Sequence, residues 1–456
     1  MFSPLADPTY RRLFGAQVIA LVGTGLSTVA LTLLAYELAG GEAGAVLGTA
    51  LALKMVAYVG IAPFVGGIAH RLPRKALLVG LDVARVAFVL CLPFVDAVWQ
   101  VYVLIFLLNA CSAGFTPTFQ AAIPDVLPDE DRYTKALSLS RLAYDLENLL
   151  SPTLAALLLT MVRYDALFAA NGAAFIVSAS LVLSVRLPRP TPSDRPASVL
   201  FNLTYGVRSY LATPRLRGLL LLSLAVAAAG AMVIVNTVVY VRGTLGGSDT
   251  DAAVALAAAG AGSMLAAVLL PLVLERHRER PVMLAGGVLM GLGLVLGLTS
   301  PGFLALLPVW FLLGVGSSLV QTPTGRLLRA SCQPADRSAF FSAQFALSHA
   351  CWLVTYPLAG WLGAAASLPV TFGCLAGLVF AATLAAVLVW PRETEVALDH
   401  VHEQSEHEHR HVHDEHHRHE HEGWEGPEPH SHPHRHRPVM HRHHFVIDFH
   451  HRQWPA

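Results

Sequence analysis

The sequence predicts an all-α membrane protein with twelve transmembrane helices in two six-helix halves, followed by a disordered His-rich cytoplasmic tail. Of the 456 residues, 54% are hydrophobic and 14% are charged, whereas a soluble domain carries about 25% charged residues. The polar residues are also concentrated, because 20 of the 62 charged residues and 19 of the 22 histidines follow Pro391. Before that point, the chain is a series of apolar runs close to the length of about 20 residues that crosses a bilayer. A single soluble domain is therefore excluded.

The apolar runs define the predicted spans in chain order. The first run follows Arg11 and Arg12 and lacks a small-residue cleavage site, so it is expected to be a retained span and not a signal peptide. The twelve spans are expected at residues 13–38, 44–69, 76–95, 98–123, 136–162, 166–185, 219–241, 252–274, 282–298, 303–320, 339–363 and 368–390. This division gives four parts: an N-terminal half (1–185), a linker with an interfacial helix (186–218), a C-terminal half (219–390) and the tail (391–456).

The distribution of basic residues predicts the orientation of the spans. A cytoplasmic N-terminus places nineteen Lys and Arg residues in cytoplasmic loops, against Arg163 and Arg242 outside. The positive-inside rule favours this arrangement, and an even number of spans then leaves both termini in the cytoplasm. We expect a multi-pass, monomeric protein of the cell inner membrane. Its formal net charge of zero argues against a nucleic-acid partner, which requires a basic face.

The two halves resemble each other in sequence. The Asp-Arg pair at 131–132 precedes the fifth span as the pair at 336–337 precedes the eleventh, an offset of 205 positions. Twenty residues after each arginine stands a proline, Pro152 or Pro357. A parallel repeat of two six-span halves explains this spacing, and secondary transporters use that architecture.

The loop after the second span resembles a known signature. Residues 66–75 read G-G-I-A-H-R-L-P-R-K, which is similar to the G-x-x-x-D-R-x-G-R-K signature of the major facilitator superfamily, with His in place of Asp and Pro in place of the second Gly. The resemblance implies the major facilitator fold and a gating role for this loop. Its gating candidates are Gly66, His70, Arg71, Arg74 and Lys75.

Two further segments point to efflux within that superfamily. Residues 151–156, S-P-T-L-A-A, look like the antiporter motif G-P-x-x-G-G, and Glu147 stands where that motif has an upstream glycine. The linker at 198–211 resembles the interfacial helix of the drug- and siderophore-efflux branch. With its His-rich tail, the chain resembles the Nre-type nickel-resistance permeases. This resemblance implies a non-enzymatic exporter of divalent nickel, with cobalt as a second cargo. No nucleotide-binding loop is present, so the energy is expected to come from an ion gradient, and we expect proton antiport.

Polar residues inside the predicted spans are candidates for the transport pathway, since burying a charge in a membrane is costly. Asp145 and Glu147 are separated by about 200° at 100° per residue, so they are expected on different faces of one helix. Asp145 has two interpretations, a salt bridge to Arg141 or a pathway residue. His349 also has two, a hydrogen-bonded core residue or a metal ligand together with either carboxylate. The full set of pathway candidates is Glu147, Asp145, Arg141, Asn148, Lys54, Tyr144, His349, Cys351, Gln344 and Asn236.

The tail carries a long run of alternating histidines interleaved with Asp and Glu. Neutral imidazole suits Zn, Cu and Ni, so the tail is expected to bind several divalent ions loosely, as a buffer, with no prosthetic group. Low hydrophobicity predicts that it is disordered. A solvated tail with no role is the alternative. The candidate metal ligands are His407, His409, His411, His413, His416, His417, His419, His421, His430, His432, His434, His436, His441, His443 and His444.

Two other functions remain open at this stage. The first is a siderophore or drug efflux pump of the same fold with a metal-responsive tail. The second is a membrane-anchored metal store or sensor whose spans do not transport. For the favoured hypothesis, the expected partners are a divalent metal ion, protons and the lipid bilayer.

Overall fold

The computed structural model describes residues 1–188 and 199–392, the segments 397–402, 405–411, 430–436 and 439–444, and residues 446, 447 and 454. The chain is helical almost throughout residues 1–188 and 199–392. The helices are α1 (Pro8–Ala39), α2 (Ala43–Ile68), α3 (Arg74–Cys91), α4 (Val98–Val126), α5 (Glu130–Leu159), α6 (Asp165–Leu183), α7 (Val199–Ala212), α8 (Pro214–Val238), α9 (Asp249–Leu274), α10 (Glu279–Gly297), α11 (Phe303–Gln321), α12 (Thr324–Arg329), α13 (Arg337–Ala365) and α14 (Leu368–Val389).

Local sequence signals set the start of several helices. Asp7 caps α1, because its carboxylate accepts hydrogen bonds from the backbone N–H groups of Thr9 and Tyr10 at 2.8 and 2.9 Å. Pro214 occupies the first helical position of α8, where its fixed φ and missing N–H are tolerated. For that reason α8 begins five residues before the predicted span at 219.

Ten helices in the described part of the chain are long and apolar enough to cross a membrane. The predicted number, twelve, is not reached by this criterion, because α5 and α13 are as long as the others but carry more polar side chains. These two helices correspond to each other across the 205-residue offset. Both pack between the halves, where polar side chains find partners, so their composition reflects an internal position.

The bundle consists of two halves that meet along two pairs of helices. In the first half α1 packs on α6 and α2 on α4, and in the second half α8 packs on α14 and α9 on α11. Between the halves, α2 packs against α13 and α5 packs against α9. The repeat relates α2 to α9 and α5 to α13, so the two pairs are equivalent. This is the arrangement expected from a parallel repeat.

The linker helix α7 closes one end of the bundle, which we call the linker end. Gly67 of α2 lies against the backbone of Asn202, and Gly206 lies against the carbonyl of Ala339 in α13. The side chains of Tyr205 and Tyr210 are buried. Residues 199–212 of the linker thus form a helix that packs on both halves at this end.

The tail differs from the prediction of disorder. Strand β1 (Ala397–His402) pairs with β4 (Val439–His444), and β2 (Ser405–His411) pairs with β3 (His430–His436), both antiparallel. The predicted disorder is therefore not confirmed for these four segments. Backbone hydrogen bonding between extended segments needs no apolar core, which is why composition alone did not reveal it. The predicted ligands at 413, 416, 417, 419 and 421 lie outside the described residues.

Candidate transport site

At mid-depth in the bundle, an ion pair in α5 is completed by a serine of the other half. Arg141 and Asp145 approach to 2.9 Å between Nη2 and Oδ1, and Nε donates to Oδ2 at 3.1 Å. The hydroxyl of Ser263 in α9 donates to Asp145 Oδ2 at 2.6 Å and accepts from Arg141 Nε at 2.9 Å. We call these three residues the mid-depth clamp. Of the two interpretations of Asp145, the structure shows the salt bridge, and Ser263 extends it across the halves.

Glu147 lies on another face of α5, as the helical periodicity predicted. It is half-buried and points toward α1, where its Oε1 lies 3.3 Å from the position that a Cβ of Gly25 would occupy. Lys54 of α2 is the cation that acts on it electrostatically. Among the described residues, Glu147 has no hydrogen-bond or ion-pair partner. Its protonation would therefore break no hydrogen bond or ion pair among the described residues.

Aromatic side chains join α2 to α13 at the same depth. Lys54 Nζ lies 5.6 Å from the ring centroid of Tyr58, and the Tyr58 ring contacts Phe345 and His349 with centroid distances of 4.9 and 4.7 Å. His349 Nδ1 is 2.7 Å from the carbonyl oxygen of Phe345. These four residues form what we call the aromatic cluster, which joins α2 of the first half to α13 of the second half.

The structure does not assemble the metal site considered for His349 and the carboxylates. Tyr58 occupies one face of the His349 ring, and the carbonyl of Phe345 satisfies Nδ1. No group of three or more His, Cys, Asp or Glu side chains within the described part of the protein is placed to hold a metal ion. His349 thus makes the hydrogen bond and ring contacts expected of the other interpretation of its position.

The remaining pathway candidates make mostly local contacts. Asn148 donates to the carbonyl of Tyr144 at 3.0 Å, and Cys351 to that of Leu347 at 3.4 Å, each within its own helix. Gln344 accepts from the Tyr210 hydroxyl and donates to Ser223 at 3.3 Å. Asn236 donates to the carbonyl of Ala359 at 3.2 Å and so ties α8 to α13.

The predicted gating loop lies at the linker end, where two of its residues contact the second half directly or through one partner. A Cβ on Gly66 would lie 2.5 Å from the Cβ of Ser342 in α13, so only glycine allows this approach. Arg74 pairs with Asp125 of α4, and Asp125 also pairs with Arg337 of α13. Arg71 is exposed and Lys75 is half-buried, while the side chain of His70 lies outside the described residues.

A second ionic group at the linker end was not predicted. Arg326 of α12 pairs with Glu130 of α5 and with Glu279 of α10, and it donates to the Thr134 hydroxyl at 2.8 Å. Arg329 donates to the carbonyl of Pro128 at 2.5 Å. The repeated Asp-Arg pairs at 131–132 and 336–337 marked this region, but no sequence spacing identified the partners.

The sequence profile of the Major Facilitator Superfamily matches residues 13–232 and 219–419. These two stretches correspond to the two halves of the bundle and together cover most of the chain. The chain belongs to the Major Facilitator Superfamily. It is accordingly a multi-pass membrane transporter, as the motif at residues 66–75 indicated.

Curated relatives within the superfamily are distant. An uncharacterized MFS-type transporter of Bacillus subtilis, YfiS, is 26% identical over 343 residues, which cover 72% of this chain and 79% of the relative. Macrolide efflux protein A of Streptococcus pyogenes is 26% identical over 186 residues, covering 39% of this chain and 44% of that protein. The Enterococcus faecalis protein of the same name is 28% identical over 157 residues, covering 31% and 47%. The matches thus span less than half of each macrolide efflux protein.

Solved structures of other superfamily transporters share the fold. The human organic anion transporter MFSD10 superposes with a TM-score of 0.71 at 11% identity, covering 83% of this chain and 99% of that one. The proton:xylose symporter XylE superposes with a TM-score of 0.68 at 15% identity, covering 85% and 96%. At these identities the similarity establishes the architecture of the halves and not the cargo.

Proposed function

We propose that this transporter is a secondary active exporter of the bacterial inner membrane. The linker end faces the cytoplasm, and α5 and α13 complete a set of twelve spans. Support for this orientation comes from the basic residues, nineteen of which fall on that side, as the positive-inside rule requires. Support for export comes from the antiporter-like segment at residues 151–156 and from the macrolide efflux relatives.

The proposed energy source is a proton gradient, coupled through Glu147. The observation that carries this proposal is that Glu147 is half-buried at mid-depth and unpaired among the described residues. A carboxylate at membrane depth costs at least a few kcal/mol when it is charged, so protonation changes the relative stability of the states that bury or expose it. Asp145 serves a different purpose, because Arg141 and Ser263 occupy its oxygens.

The proposed substrate class is an amphipathic organic compound of the kind named in the macrolide relatives. The aromatic cluster offers ring faces, and further along α13 the rings of Trp352 and Tyr356 are in contact, tilted by 42° with centroids 4.9 Å apart. Aromatic side chains with one or two polar groups are the usual lining of organic-ligand sites. Lys54 and Glu147 supply the polar groups here. This corresponds to the drug-efflux alternative of the sequence analysis.

Transport by the reconstituted full chain tests the proposal. Proteoliposomes with an imposed pH gradient should move a radiolabelled macrolide, and a proton ionophore should stop the movement. Tyr58→Ala should raise the KM for the macrolide, whereas the matched variant Tyr58→Phe, which keeps the ring, should remain close to the wild type. Equal behaviour of the two variants would exclude an aromatic binding surface at Tyr58. No pH-driven movement of the macrolide at all would exclude proton-driven export of this compound.

Export of divalent nickel, with cobalt as a second cargo, is the second candidate. It is favoured by the tail, where the backbone register sets histidine opposite histidine at 400/441, 407/434, 409/432 and 411/430. Expelling a dication against an inside-negative potential costs about 4.6 kcal/mol per 100 mV, twice the single-charge figure, and exchange for two protons cancels that term. In this hypothesis the tail buffers metal before its export.

Removal of the tail distinguishes these functions and the metal-store alternative. A chain ending at Pro391 should still transport the macrolide if the first proposal is right. If nickel is the cargo, the same truncated chain should retain pH-driven nickel movement at low metal load and lose capacity at high load. Retention of nickel binding by the full chain with transport of neither compound would favour a membrane-anchored store or sensor.

A further inference from the structure

The two ends of the tail meet at one helical turn. Trp390, where the tail begins, is 2% exposed, and its side chain packs on Gly218, where an added Cβ would lie 2.9 Å from the Trp390 Cβ. Trp454, near the end of the chain, places its ring over the guanidinium of Arg215 at 5.8 Å. Arg215 and Gly218 are one turn apart in α8. A tail of more than sixty residues therefore leaves and returns to the same place.

The returning segment also contains buried apolar residues. Val446 and Ile447 are 3% and 2% exposed, although they follow a histidine-rich stretch that offers no apolar core of its own. Arginine over a Trp face is the strongest common cation–π combination. The ring contact of Trp454 with Arg215 and the burial of Val446 and Ile447 together indicate a docked segment.

The docking position is linked to the contact between the halves. Arg215 is buried and donates through Nη2 to the carbonyl of Ala330 at 2.5 Å. Ala330 follows α12, whose Arg326 pairs with Glu130 of the first half and whose Arg329 bonds to the carbonyl of Pro128. A group that fixes Arg215 thus also fixes the end of α12 that holds the first half.

We propose that the first turn of α8 is a docking surface for Trp454, near the chain's own C-terminus, and that docking keeps the linker end closed. Trp454 holds Arg215 in the conformation that caps α12, so release of Trp454 loosens the contacts of α12 with the first half. This inference goes beyond the proposed function, because it does not depend on the cargo.

Alkylation of the native Cys332 measures whether the linker end is open. This cysteine is buried beside the α12 end, where its Sγ bonds to the carbonyl of Leu328 at 3.2 Å, so its alkylation reports opening of the linker end. The experiment uses the full chain with the other four cysteines changed to Ser, in proteoliposomes without substrate. Trp454→Ala should raise the rate of maleimide labelling several-fold. The matched control Trp454→Phe, which keeps a ring over Arg215, should label at nearly the wild-type rate.

A second measurement separates undocking from misfolding. A chain ending at His444 should label as fast as Trp454→Ala, and a free peptide of residues 445–456 should restore slow labelling, whereas the same peptide carrying Trp454→Ala should not. Equal labelling of the wild type and Trp454→Ala, with no effect of the peptide, would overturn the proposal. Transport of the macrolide is measured separately, so a cargo different from the one proposed leaves this result interpretable.

Discussion

Arg337 of the second half pairs with Asp125 of the first half. In the contact that the repeat relates to this one, the acid and the base exchange positions. Asp125 also pairs with a second arginine, Arg74, at the start of α3. In the related contact, Arg326 pairs with two glutamates, Glu279 at the start of α10 and Glu130 at the start of α5. Arg74 and Glu279 are 205 positions apart, the same offset as the repeated Asp-Arg pairs. The linker end is thus held by two three-residue ionic groups of opposite polarity.

Asp125 is expected to be the more important of the two inter-half acids. Its substitution Asp125→Asn leaves Arg74 and Arg337 buried without a carboxylate, and breaking a buried pair costs about 3 to 5 kcal/mol. Glu130→Gln is the matched control, because the Glu130 side chain is 66% exposed and such pairs contribute about 0 to 1 kcal/mol. Labelling of Cys332 should therefore accelerate strongly in Asp125→Asn and little in Glu130→Gln. Similar rates in both variants would contradict the ranking.

Gly66 is expected to be required for closure of the linker end. Gly66→Ala adds a Cβ that would lie 2.5 Å from the Cβ of Ser342, so α2 and α13 must separate and transport should fall. Gly60→Ala is the control on the same helix, because nothing lies within 4 Å of a Cβ there. Alanine favours a helix by up to about 1 kcal/mol over glycine, so the control should be at least as stable as the wild type.

A second-site change makes the Gly66 prediction sharper. In the double variant Gly66→Ala with Ser342→Gly, the clashing Cβ is removed from the partner helix, and part of the transport rate should return. A wild-type transport rate in Gly66→Ala, or a double variant that transports no faster than Gly66→Ala alone, would mean that α2 and α13 do not close on this contact.

The limits of prediction from sequence are clearest in α5. Helical periodicity correctly separated Asp145 from Glu147, because the angle per residue is a property of the backbone. The sequence also offered Arg141 as a partner for Asp145, since residues four apart are neighbours on a helix. Ser263 lies 118 positions away from Asp145, and no local spacing encodes a contact across the halves. The same reason explains why Asp125 and Arg326 were not predicted as partners, and why the contact of His349 with Tyr58 was not among its two interpretations.

Glu147→Gln is expected to uncouple transport from the proton gradient. Gln has nearly the same shape and leaves Lys54 in place, but it cannot bind or release a proton. Macrolide movement driven by an imposed pH gradient should therefore stop, while exchange of macrolide across the membrane without a gradient persists. Asp145→Asn is the comparison, and there we expect a less stable protein, because the amide leaves Arg141 without its counter-charge and replaces one of the two acceptor oxygens with a donor. Normal pH-driven export by Glu147→Gln would mean that a group other than Glu147 couples transport to the proton gradient.

Metal binding by the tail should depend on histidine register and on pH. In β2, positions 407, 409 and 411 share one face because side chains alternate along a strand, and each is opposite a histidine of β3. The double substitution Glu408→His and His409→Glu keeps the composition but moves one histidine to the other face. Calorimetry with Ni²⁺ on the peptide of residues 392–456 should then show fewer or weaker sites than the native order.

Protons compete with the metal for imidazole, whose unperturbed pKa is about 6.5, so binding to the native peptide should be fully developed above that pH and should weaken as the pH falls through it. A disordered chelating chain would bind equally in both orders, because only the number of histidines would matter to it. Equal binding isotherms for the two peptides would therefore exclude paired sites on the strands, while the pH dependence would persist in either case because it follows from imidazole alone.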